Sequence, residues 1–267
     1  MLKCIFFIAG NTARESTRQA VFYLILYSGI SLILFSFAFT LFAFGEEIRM
    51  IKEMGISTIT ICCLCVASLS AVNAIYKEIE RGTIMTLLSK PVNRKAILVG
   101  KFLGILATVS LAFIAMSILL TVSLCIKESL AYRISFLSSL MSEGYSCILQ
   151  LAFSFLQVAM ICAIATAGSV FLPMISNLSC CIFIYIFGNL ANFFQGLFQT
   201  TEGSFPWYIS FLYMFFPNLE GFGTIGMKNN FGSFDLHYIV LLTAYAILYI
   251  IFVMTLTLEI FNIKECR

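Results

Sequence analysis

A chain of 267 residues that is 61% hydrophobic and 11% charged, with a mean hydropathy of +1.00, is far more apolar than the roughly half-apolar composition of water-soluble domains. A helical crossing of a hydrocarbon layer about 30 Å thick needs about 20 residues, so this length holds about six crossings with modest loops and excludes a large soluble domain. The formal net charge of +3 is spread along the chain, without the solvent-facing basic surface that a nucleic-acid partner requires.

Residues 1–20 are expected to form an interfacial helix, with Leu2, Ile5, Phe6 and Ala9 on one face and Asn11, Arg14, Glu15 and Arg18 polar. A polar lead-in to the first span is the alternative. The apolar run Ile5 to Ala9 is too short for a secretory signal and meets polar residues instead of a cleavage site, so this start is expected to be retained.

Six stretches then have the apolar length to span: Val21–Phe44, Ile56–Tyr76, Phe102–Ile126, Ser146–Phe171, Leu178–Phe198 and Leu236–Phe261. The fourth and fifth are joined by a tight hairpin in which Pro173 ends one helix and Asn177 caps the next. Between the fifth and sixth lies Gln199 to Asp235, whose run Phe205-Pro206-Trp207-Tyr208 leads to Pro217. The two prolines leave too few residues to cross, so this piece reads as an external re-entrant or interfacial elbow anchored by Trp and Tyr. The expected architecture is an all-α integral membrane protein, a single transmembrane domain over residues 1–267.

An even number of crossings puts both termini on one side. That side carries eleven of the 16 Lys and Arg residues, namely Lys3, Arg14, Arg18, Lys77, Arg81, Lys90, Arg94, Lys95, Lys101, Lys264 and Arg267. The other side has Arg49, Lys52, Lys127, Arg133 and Lys228. The positive-inside rule makes the first side cytoplasmic, in a cell inner membrane. Most of the ten cysteines fall within apolar spans, where thiols act as small buried hydrophobes; neither a disulfide framework nor a metal site is expected.

The loop after the second span, residues 77–95, concentrates charge in a chain that otherwise avoids it. Ile84, Leu87 and Leu88 recur at helical spacing, so a short amphipathic helix is expected between Gly82 and Pro91. Asn93 would cap the third span, whose first turns place Arg94, Leu98 and Lys101 on one face. A short cytoplasmic helix joined to two membrane helices suits mechanical coupling to a soluble partner, with apolar anchors and charges that set register. A solvated loop that only fixes topology is the alternative reading.

The run Glu80-Arg81-Gly82-Thr83, then Leu87-Leu88-Ser89-Lys90-Pro91, Arg94 and Gly100-Lys101-Phe102-Leu103-Gly104 resembles the cytoplasmic loop of ABC-2 type permeases, particularly the NosY-like branch. Pro217-Asn218-Leu219-Glu220-Gly221-Phe222 resembles a short motif before the last helix of that family. The resemblance extends in layout along the whole chain, with a longer and more aromatic elbow than a minimal member requires. It implies that Glu78, Glu80, Arg81, Gly82, Thr83, Leu87, Leu88, Lys90, Pro91, Arg94 and Lys101 belong to an ATPase-coupling loop. It further implies an ABC ATP-binding subunit, holding ATP and Mg, as partner, and a second permease copy or paralogue as the other half of a dimer in membrane lipid.

The chain has no Walker sequence ending in Gly-Lys-Ser or Gly-Lys-Thr, so it cannot cradle nucleotide by that means. No Asp or Glu stands near the centre of a predicted span, unlike many ion-coupled transporters. The lone histidine, His237, reads as an interfacial residue where the last span begins. Catalytic pairs at productive spacing are missing from the spans, so the chain is expected not to be an enzyme. Asn73, Gln150, Gln157, Asn189, Asn192 and Gln195 are polar groups within spans, available to bond across helices or to line a pathway. The expected function is a permease subunit of an ATP-driven exporter, with apolar spans favouring a lipid-like or amphipathic cargo. A membrane anchor or mechanical scaffold that recruits a cytoplasmic partner is the other reading.

Overall fold

A computed structural model describes residues 2–39, 47–80, 94–132, 141, 144–190, 217–224 and 236–264. Among these the architecture is all-helical and no strand is present. In chain order the helices are α1 (Leu2–Thr17), α2 (Ala20–Phe39), α3 (Glu47–Glu80), α4 (Arg94–Tyr132), α5 (Tyr145–Gly168), α6 (Met174–Asn189), α7 (Glu220–Thr224) and α8 (Leu236–Lys264). The charged loop from Arg81 to Asn93, the end of the first predicted span beyond Phe39, the end of the fifth beyond Leu190 and most of the predicted elbow lie outside the described residues.

Four helices are long and apolar enough to cross a membrane, namely Glu47–Glu80, Ala96–Ser129, Tyr145–Gly168 and His237–Phe261. α1 and α2 form a pair bent by 67°, which counts as a fifth if it is one broken span. The shorter α6 has 16 residues, about 24 Å of helix at about 1.5 Å per residue, less than a hydrocarbon core. At 39 residues α4 is about 58 Å long and projects well beyond such a layer.

α3 and α5 form the centre. They bury Ile59, Cys63, Leu64 and Ala67 of the first against Val158, Met160, Ile161 and Cys162 of the second, with Ile105, Val109 and Met116 of α4 completing the core. Small residues let these helices approach closely, which in lipid replaces the hydrophobic drive as the source of packing. A Cβ on Gly29 of α2 would stand 2.7 Å from Met116 Sδ, and one on Gly55 of α3 would collide with Leu120. The outer faces of α2 and α8 instead present Leu24, Leu32, Val240, Leu248 and Phe252 outward, an apolar surface that a water-soluble protein does not carry.

One local feature departs from the sequence reading. Asn177 does not cap α6. Pro173, with its fixed φ of −66° and extended ψ, stands at the N-cap position, and Asn177 lies inside the helix with its N–H bonded to Pro173 O at 2.9 Å. The protein-facing side of α1, which the sequence reading did not assign, comprises Ile5, Ile8, Ala9, Thr12 and Ser16, whereas Phe6 and Phe7 are 83% and 80% exposed. The groove that receives α1 is lined by glycine, so it admits Ala9 and Thr12 and leaves the rings outside.

Candidate functional site

The structure converges on the end of the bundle from which the charged loop departs. Here α3 leaves regular α geometry for one π turn, Val72–Tyr76, in which the Lys77 N–H bonds to Val72 O, five residues back. Isolated π turns are rare and cluster at functional sites, because the widened turn displaces carbonyls from the i→i−4 ladder. The side chain of Lys101 on α4, only 7% exposed, reaches this turn. Its ammonium donates to Ala74 O at 2.6 Å and forms an ion pair with Glu78. Burying an ammonium is costly unless it is paired and hydrogen-bonded. The chain meets that demand with a carboxylate two residues beyond the π segment and a carbonyl inside it.

On another side of the same turn, Asn73 Nδ2 donates to Gln19 Oε1 at 2.6 Å. Gln19 sits at the corner where α1 breaks into α2. α1 in turn lies along the start of α4. A Cβ on Gly100 would stand 3.0 Å from Ile8 Cβ, and one on Gly104 would stand 2.7 Å from both the Ala9 carbonyl oxygen and Thr12 Cβ. Gly100-Lys101-Phe102-Leu103-Gly104 therefore has two functions in one helical turn: its glycines seat α1 and its lysine grips α3. Small-xxx-small spacing of this kind permits backbone approach between membrane helices.

A second polar group threads the bundle farther along. Thr60 gives its hydroxyl proton to Ser57 O at 2.9 Å, so Tyr185 is the donor in the 3.0 Å bond between the two hydroxyls. Asn189, one turn on from Tyr185, donates to Tyr185 O at 2.9 Å and accepts from Gln157 Nε2 at 3.1 Å. α3, α5 and α6 are thereby joined by one hydrogen-bonded series. Gln150 is buried on α5, where its main-chain carbonyl accepts from Ser154 Oγ at 3.0 Å. Asn177 Nδ2 reaches Ala165 O at 3.2 Å and Ser68 O at 3.4 Å, fastening the α5–α6 hairpin to α3.

The end opposite the charged loop is held by Glu47–Lys127 at 3.0 Å and by Lys52 Nζ to Ser146 Oγ at 2.7 Å. The segment Pro217 to Phe222 docks against α6 and α8. Leu219 N–H bonds to Gly188 O at 3.1 Å, and Asn218 N–H to Tyr245 Oη at 3.1 Å. Leu219 and Phe222 are fully buried. Gly188 is needed there, since a Cβ would stand 2.8 Å from Pro217 O.

Of the residues singled out from sequence, Glu78 and Lys101 pair at the loop end, Asn73 of the π turn bonds Gln19 instead, and Gln157 meets Asn189. Glu80 is exposed at the end of α3, and Arg94 begins α4. Arg81, Gly82, Thr83, Leu87, Leu88, Lys90, Pro91, Asn192 and Gln195 lie outside the described residues. Sequence reasoning missed Gln19, Thr60 and Tyr185. The signal for Tyr185 was its position four residues before Asn189, on the same helical face; Gln19 had none beyond its place at the polar corner. Among the described residues, no group of His, Cys, Asp and Glu is arranged to hold a metal ion.

No curated protein matches the chain. The profile of the family described as ABC-2 family transporter proteins matches residues 8–263, nearly its whole length. Permeases of that family are generally non-catalytic membrane subunits and normally work with an ABC ATP-binding subunit. Extent of match, long apolar helices and small-residue packing together identify a multi-pass membrane permease. The chain belongs to the ABC-2 transporter family.

Proposed function

We propose that this chain is the membrane-spanning subunit of an ATP-driven exporter, crossing the membrane six times with both termini in the cytoplasm. In this reading residues 77–95 form the docking segment for a separate ATPase, which holds ATP and Mg. Two permease halves, identical or paralogous, pair within the lipid, and closure of two ATPase copies tilts the helices on either side of each docking segment. The chain itself makes and breaks no bonds. The resemblance of Glu80-Arg81-Gly82-Thr83 and Leu87-Leu88-Ser89-Lys90-Pro91 to NosY-like permeases supports a place in that branch. The apolar interior favours a lipid-like or amphipathic cargo.

One observation carries the proposal: Lys101 binds both Ala74 O and Glu78 at the root of the charged segment. A topology-determining loop needs only surface charge. A buried lysine tying the two flanking helices together is what a lever requires, because force applied to the segment then reaches both.

Co-purification from native membranes tests the docking assignment. Reversing the charges of Glu80 and Arg94 is expected to strip an associated ATPase from the solubilised permease. Full retention of the ATPase would refute the docking assignment. Proteoliposomes then separate transport from scaffolding: ATP-dependent loss of a fluorescent phospholipid from the inner leaflet supports an amphipathic cargo, whereas hydrolysis that moves no cargo favours an anchor or force-transmitting scaffold.

A further inference from the structure

We infer that Lys101 and Gln19 are positioning residues that gear the α1–α2 corner and α4 to the π turn of α3, so that α1 moves with the docking segment. This rests on the coupling role proposed above and names the residues through which the motion passes.

Three contacts close a ring. Asn73 in the π turn binds Gln19 at the α1–α2 corner. Ala74 O in the same turn, and Glu78 beyond it, bind Lys101 of α4. α4 binds α1 through Gly100 and Gly104, where the backbones approach too closely for any side chain between them. The third contact has little freedom, since Ala9 O and Thr12 Cβ already fill the space beside Gly104. α1 and the start of α4 therefore move as one body. The first two contacts are polar and both fall on the π turn Val72–Tyr76, the place in α3 where the hydrogen-bond register departs from regular α geometry.

The turn also holds an unfinished interaction. The Oδ1 atom of Asn73 is buried and has no hydrogen-bond partner among the described residues. A buried acceptor left unsatisfied costs free energy, so a rearrangement of this turn that reached a donor would be favoured. An element with two arrangements, each biased by contacts to a different neighbour, is the physical requirement for passing motion between sites. Asn177 Oδ1 is likewise buried without a partner among the described residues, but Asn177 and the Gln157–Asn189 pair join stretches of regular α helix.

The test uses the permease with its co-purified ATPase in nanodiscs of phosphatidylcholine and phosphatidylglycerol. Hydrogen exchange is read with and without ATP plus vanadate. In the wild type, residues 2–17 and 72–80 are both expected to change exchange on nucleotide trapping. Lys101→Gln is expected to keep the response at 72–80 and to reduce that at 2–17 at least fivefold, and Lys101→Arg to restore it. Gln19→Leu, which leaves the ion pair and the α1–α4 contact intact, is expected to give a smaller but measurable loss and covers the case in which Lys101→Gln does not fold. An undiminished response of residues 2–17 in both folded variants overturns the inference while the docking assignment stands. If no ATPase accompanies the wild-type chain, the docking assignment fails and the gearing falls with it.

Discussion

Gly104 and Thr12 meet so closely that a Cβ on the glycine would stand 2.7 Å from Thr12 Cβ, and no side chain fits between α4 and α1 at that point. The N-terminal helix is thus fixed to the bundle by geometry.

Gly104→Leu is accordingly expected to expel α1. Forcing extra methylenes into a packed contact costs about 1–3 kcal/mol. The expected result is a lower melting temperature in detergent and rapid tryptic cleavage at Arg14 and Arg18, with α5 and α6 still resistant. Gly10, whose added Cβ meets nothing within 4 Å, is the control: Gly10→Ala is expected to change neither.

The bond from Gln157 to Asn189 joins α5 to α6 at 3.1 Å. A double-mutant cycle with Gln157→Leu and Asn189→Leu is expected to give a coupling of about 0.6 kcal/mol and no more than about 2 kcal/mol, the range for polar contacts between membrane helices. Steric trapping or reversible unfolding in mixed micelles measures it. A coupling of zero would mean that the two amides face separate partners.

Leu219 is fully buried against Gly188 of α6. Leu219→Ala is expected to destabilise the protein by about 2–5 kcal/mol, the cost of an emptied core site. Gly188→Val is expected to displace the Pro217 to Phe222 segment outright, seen as loss of hydrogen-exchange protection at Leu219 N–H.

Thiol accessibility checks both packing and topology. Cys4 and Cys180 are exposed, whereas Cys63 and Cys162 are buried. In a variant with Cys266→Ser, a membrane-impermeant maleimide is expected to label Cys4, and only from the cytoplasmic face. Cys180, whose helix lies among apolar surroundings, is expected to react only with a lipid-soluble reagent. Labelling of Cys4 from outside would invert the proposed orientation.

The helical, membrane-embedded character of the chain was legible in sequence because lipid leaves few solutions: a backbone in hydrocarbon must satisfy its own hydrogen bonds, so long apolar runs become helices. Family membership was legible only by resemblance, through the run from Glu80-Arg81-Gly82-Thr83 to Gly100-Lys101-Phe102-Leu103-Gly104. Periodicity does not say which neighbour a face meets. Leu2, Ile5, Phe6 and Ala9 share a stripe in sequence, yet the tertiary contact selects Ile5, Ile8, Ala9 and Thr12, because a groove floored by two glycines excludes a phenyl ring. The cap expected at Asn177 failed similarly, since Pro173 had already set the helix start and the amide was drawn to carbonyls on α3 and α5. The π turn and its grip by Lys101 and Gln19 came from the tertiary structure alone: a one-residue change of hydrogen-bond register leaves no mark in composition, and its partners are supplied from helices distant in the chain.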